Sequence, residues 1–155
     1  MIKLYKNVDG QLRYWECWED EASKMATVHW GPVGQTGETE EISFRKLAEL
    51  QSKINQARAE GYCEVDSDDH FPVLIEYAID EFGNDSDLEK RHSLEDRMSE
   101  TLGWSGLGHC DGGSSGSGTM EVCCFVVDTE IAIQTIKADL QNTEFANFTR
   151  IYVEN

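Results

Sequence analysis

The groups in this 155-residue chain able to act as nucleophiles, bases or metal ligands are five cysteines, four histidines and an excess of carboxylates. His109-Cys110 and Cys123-Cys124 are the soft ligands close enough in sequence for a hairpin to bring together. Structural zinc sites take ligand pairs separated by about two to four residues, whereas adjacent residues of a strand point to opposite faces, so each pair can offer one ligand inward. No metal is expected from this pattern. A nucleophilic Cys or Ser needs a base within hydrogen-bond reach. His29, His70, His92 and His109 share no local pattern with either, and a reactive Cys123 or Cys124 would need a depressed thiol pKa. His29 lies beside Trp30 in a strand-like segment and His92 in a helical one, which fits ordinary polar or half-buried positions. Paired acids such as Asp68-Asp69 follow from the composition alone. The chain is therefore expected to be non-enzymatic, with no catalytic residues and no cofactor.

The stretch Gly106-Leu107-Gly108-His109-Cys110-Asp111-Gly112-Gly113-Ser114-Ser115-Gly116-Ser117-Gly118 invites a phosphate-cradle reading, since bare backbone amides can surround an anion. A phosphate loop runs straight into a helix N-terminus and usually carries a Lys. Here a strand-like segment follows, and no basic residue lies between Arg97 and Lys137. A mobile connection between two paired strands is the expectation.

Charge is the sharpest signal. Thirteen basic residues stand against 30 acidic ones, net −17. Eight basic and eleven acidic residues precede Val65, five and nineteen follow it, so the two parts carry −3 and −14. Asp80, Glu81, Asp85, Asp87, Glu89, Glu95 and Asp96 belong to a run in which Lys90, Arg91 and Arg97 are the sole cations. Such a surface repels polyanions, speeds encounter with a basic protein and suppresses wrong partners. These seven residues are the candidate partner-binding face, and an inhibitor or immunity-type partner of a basic effector is the expected role. No apolar run is long enough to span a membrane and the first residues lack a signal-like stretch, so the cytoplasm and reduced thiols are expected, and the oligomeric state stays open.

The elements that must position these groups fall into two blocks. In residues 1–65, Ile2 to Tyr5 and Leu12 to Trp18 flank an Asp9-Gly10 hairpin signal, and strands follow at Met25 to Trp30 and Glu38 to Ile42. Ser43 then caps a helix from Phe44 to about Glu60, stopped by Gly61. After the acidic connection Asp66-Ser67-Asp68-Asp69, residues 70–155 read as a strand at Pro72 to Ile79, a helix from an Asp87 cap to Leu102 stopped by Gly103, and a short strand at Trp104 to His109. A strand at Met120 to Val127, a helix at Glu130 to Leu140 and a strand at Phe148 to Val153 complete it. In the first helix of this block Leu88, His92, Glu95, Met98 and Leu102, with Leu94 and Thr101 beside them, form one imperfect apolar stripe, the expected inner face. The class is α+β: an antiparallel sheet with one helix, then the βαββαβ order of the ferredoxin-like sandwich.

Trp30-Gly31, Val33-Gly34, Gly37-Glu38 and a helix ending at Gly61-Tyr62 resemble the WGR domain, best known from DNA-dependent poly(ADP-ribose) polymerases, over residues 1–65. In that family the Trp and Arg of the signature lie at or near the DNA contact. Pro32 stands here in place of the Arg, which removes the phosphate-pairing group. The resemblance implies a second function, nucleic-acid binding, with Trp30, Lys46 and Lys53 as candidate contacts. Lys24, Arg45 and Arg58 add charge, and Trp15 and Trp18 could stack on bases.

Overall fold

A computed structural model describes Met1–Asn155. The first block forms β1 (Ile2–Val8), β2 (Gln11–Asp20), β3 (Met25–Pro32) and β4 (Glu38–Ser43), an antiparallel meander in that spatial order. Asp9 and Gly10 both adopt positive φ, 52° and 84°, the turn that the twist of a two-residue hairpin requires. Ser43 accepts from the Arg45 amide and starts a single 3-10 turn over Phe44–Lys46, which leads into α1 (Leu47–Ala59). Leu50, Ile54 and Ala57 of α1 seal one face of the sheet, formed by Cys17, Ala26, Val28 and Ile42.

The connection is one 3-10 turn, Ser67–Asp69, capped by Asp66. Then come β5 (Phe71–Ala78), α2 (Asp85–Trp104), β6 (Gly108–Gly116), β7 (Thr119–Val126), α3 (Thr129–Leu140) and β8 (Arg150–Val153). The sheet order is β6-β7-β5-β8 with every neighbour antiparallel, the strand order of a split βαβ arrangement. The protein is thus α+β, with two four-stranded antiparallel sheets and three helices.

Several local expectations give way to the observed structure. The glycine and serine stretch is not a mobile connection: after a turn at Gly106, Gly108–Gly116 is a strand paired with β7 through one bulge at Asp111, and Ser117-Gly118 makes the hairpin turn. Its small residues are where α2 crosses. A Cβ on Gly113 would stand 2.5 Å from the Glu121 carbonyl and 3.0 Å from Cδ of Arg91, and Ser115 Oγ accepts from the Arg91 guanidinium at 3.0 Å. Asp87 is not the cap of α2 but the third residue of a capping box, in which Asn84 accepts from the Asp87 amide and Asp87 accepts from the Asn84 amide. Gly103 does not stop the helix, which runs one residue further, so Trp104 is helical rather than part of a strand. The buried stripe of α2 is Leu94, Met98 and Leu102, while Leu88 at its N-terminal end stays exposed.

The two sheets meet. Tyr5, Tyr14 and Val33 of the first block belong to the same apolar cluster as Leu94, Met98, Leu102 and Leu107 of the second. Gly34 N donates to Ser105 O at 2.8 Å, and Tyr5 OH donates to Gly106 O at 2.7 Å. The first sheet is therefore covered on both faces, by α1 on one and by the end of α2 on the other.

Candidate functional site

Helix α2 sorts its charges by direction. At 100° per residue Asp85, Glu89 and Asp96 lie opposite the buried Leu94-Met98-Leu102 stripe. Lys90 and Arg97 lie on the flanks of the helix and Arg91 on its inner side against β6, and all three are taken up by neighbours. Arg97 pairs with Asp139 of α3 at 2.8 Å, Lys90 donates to Asn147 at 2.7 Å and sits 4.4 Å above the Tyr77 ring, and Arg91 reaches Ser115. The side-chain hydrogen bond to Asp139 holds the Arg97 guanidinium above its ordinary pKa. Burial is the largest influence on Lys90 and lowers its pKa. Of the seven candidate carboxylates only Glu95 is ion-paired, to Arg91 at 3.6 Å. Asp80 and Glu81 extend the same surface along the connection from β5, where Phe82 stands 73% exposed. The outward face is an uncompensated acidic stripe with an aromatic residue at its tip. The charge run was visible in sequence; the inward fate of the cations and the exposure of Phe82 were not.

The nucleic-acid candidates lie apart from it. Trp30 is half-buried in a groove between the first sheet and α1, with Trp15 and Tyr62 beside it. Lys53 shares this groove but is paired with Glu40 at 3.1 Å, and Glu60 lines it as well. Lys46 is exposed at the last residue of the 3-10 turn and is not among the residues lining that groove. The signature glycines have a structural use: a Cβ on Gly31 would stand 2.8 Å from Cα of Gly37 and 3.3 Å from the Tyr14 hydroxyl, and one on Gly37 would overlap the Trp30 carbonyl.

Cys110 and Cys124 are partners across β6 and β7, with Cys124 buried. The hydrogen bond to Cys110, then burial, raises the Cys124 thiol, and the same hydrogen bond lowers Cys110. His109 turns to the other face, stacked on Phe125 at 5.9 Å with His70 beyond it at 6.3 Å. No group of three or more His, Cys, Asp or Glu side chains is disposed to hold a metal ion. No helix is long and apolar enough to cross a membrane.

A polar cluster that the sequence analysis overlooked sits where the sheets meet. Tyr14, Glu16 and Trp18 alternate along β2 toward the second block, and Glu16 is the register partner of both Lys3 and His29. Glu16 and His29 are 2% and 0% exposed. His29 Nε2 lies 2.6 Å from the Thr36 carbonyl, which it donates to, and 3.1 Å from Tyr14 OH, which donates to the Gln35 carbonyl at 2.7 Å. Nδ1 of that ring faces Glu16 Oε1 at 3.6 Å without a hydrogen bond. Burial pushes the Glu16 carboxyl above its ordinary pKa, against the opposing pull of Lys3 and His29. Burial likewise pushes Tyr14 up to about 12. Alternation of Glu16 with apolar neighbours in a strand was the one available sign that this carboxylate points inward. No family model, curated protein or solved structure matches the chain.

Proposed function

We propose that this protein is a non-enzymatic binding module that docks a basic protein through the outward face of α2 and the β5–α2 connection, in the role of an inhibitor or immunity-type partner. The observation that carries the reading is the segregation of charge on α2: its cations turn to Asp139, Asn147 and Ser115, which leaves Asp85, Glu89 and Asp96 without counter-charges. Exposed Phe82 supplies the apolar anchor that charge alone lacks, since interface energy concentrates in a few buried aromatics within a polar rim. Pull-down with the intact chain at low and at high salt tests this. Retained proteins are expected to be basic and to be lost at high salt, and the triple variant D85N/E89Q/D96N should retain at least about tenfold less, because rim charges govern the encounter rate. Neutral partners, or capture indifferent to salt, would sink the proposal.

Nucleic-acid binding through Trp30, Lys46 and Lys53 draws less support. Lys53 is engaged with Glu40, Glu60 lines the same groove, and Pro32 occupies the position of the WGR-family arginine. Titration of tryptophan emission with nicked and single-stranded DNA at low salt is expected to give no saturable change at about micromolar concentrations.

A further inference from the structure

Beyond the acidic stripe, the end of α2 and the first sheet enclose a separate recess. Trp18 of β2 and Trp104 at the last position of α2 meet edge to face, ring centroids 5.6 Å apart at 83°. They wall a cavity of about 270 Å³ into which Glu16 and Glu100 also open. The Glu16 side chain is 3% exposed; its Oε2 accepts no hydrogen bond and is ion-paired to Lys3 Nζ at 3.9 Å. Glu100 Oε2 accepts from the Trp104 indole N–H at 3.1 Å and so orients that ring.

A buried carboxylate with a vacant lone pair at the base of two perpendicular indole faces complements a group that is cationic and apolar at once. The charge faces the carboxylate, and the polarised C–H shell faces the negative ring surfaces. We propose that this recess binds an alkylated ammonium group. An anionic ligand would meet two carboxylates, and an uncharged apolar one would offer no charge to the buried Glu16 carboxylate. The volume lies below the range of whole drug-sized ligands, which suits a head group entering from solvent along the exposed edge of Trp104. The same head group occurs on small free compounds and on methylated lysine side chains.

Choline and its uncharged carbon isostere, in which carbon replaces the quaternary nitrogen, are the probes, each titrated into the full chain at constant ionic strength while the indole N–H resonances are followed. Choline is expected to move the Trp18 and Trp104 signals saturably and the isostere to leave them in place. Glu16→Gln and Trp104→Leu should each weaken choline at least about tenfold, and D85N/E89Q/D96N should leave its affinity unchanged, which separates this site from the docking face. Equal responses to choline and isostere, or choline binding undiminished in folded Glu16→Gln, would overturn the proposal. Should that variant lose its near-UV circular dichroism, Trp104→Leu decides, because Trp104 is 42% exposed: wild-type affinity in that variant overturns the proposal as well. A trimethyllysine peptide binding more tightly than choline assigns the head group to a protein side chain; equal or weaker binding assigns it to a free small compound. Absence of binding by both overturns the site.

Discussion

Glu16 and His29 are neighbours on adjacent strands, and their facing atoms, Oε1 and Nδ1, are both acceptors once Nε2 donates to the Thr36 carbonyl. Two lone pairs opposed in a dry site are unfavourable, so a proton on the Glu16 carboxyl relieves the opposition and stabilises the fold. Burial is the main cause that holds the Glu16 carboxyl above its ordinary value of 4.5. The folded state therefore binds a proton that the unfolded chain releases. This contribution is fully present below the ordinary carboxyl value and is lost as pH rises through the folded one. Gln is the uncharged isostere, so Glu16→Gln is expected to gain stability relative to wild type between about pH 4 and about pH 7 in denaturant melts. A constant difference across that range would remove the pair from the account. Gly106 makes a second residue-level case. It sits at φ 67°, and a Cβ there would overlap the Tyr14 ring, so Gly106→Ala should cost about 3 kcal/mol or more, read as a lowered unfolding midpoint.

Helix α2 and strand β6 are matched to one another. The strand presents Gly113 and Ser115 where the helix presents Arg91 and Glu95, and larger residues would push the two apart. The glycines are consequently not equivalent. Gly113→Ala places its methyl against the Glu121 carbonyl and should destabilise by about 2 kcal/mol. Gly116 has open space around its Cβ position and an unstrained φ, so Gly116→Ala should be neutral or stabilise by up to about 1 kcal/mol through the unfolded chain. Equal losses for the two would mean that strand propensity, not helix approach, sets the requirement. At the other end of α2 the capping box predicts a loss of about 1 kcal/mol for Asn84→Ala, measured by thermal melting.

At the scale of the molecule, the first sheet depends on the second block for cover. Tyr5 and Tyr14 are 3% and 0% exposed because Gly106, Leu107 and Trp104 lie on them. Truncation after Val65 would uncover these rings together with Glu16 and His29. Unfolding is therefore expected to be one cooperative transition, with Trp15 and Trp30 in the first block and Trp104 in the second melting together in calorimetry and fluorescence. A fragment of residues 1–65 is expected to show no sharp transition of its own. Two separated transitions in the whole chain would mean that the blocks are energetically independent.

Period and punctuation were enough to reveal most elements. Asp9-Gly10 marked a hairpin, Ser43 and Gly61 bracketed a helical segment whose first three residues are a 3-10 turn rather than α-helix, and the branched runs of β5 and β7 marked central strands, because turn chemistry and side-chain alternation act over a few residues. The acidic character of α2 was equally legible, since composition needs no fold. What remained hidden depends on contacts between distant segments. Cys110–Gly116 carries no local strand signal and becomes a strand because β7 supplies hydrogen bonds and α2 requires small side chains beneath it. Glu16, one carboxylate among 30, becomes singular only when Trp18 and Trp104, 86 positions apart, close over it. Burial decides which of many like groups loses its water, and burial is a property of the assembled chain.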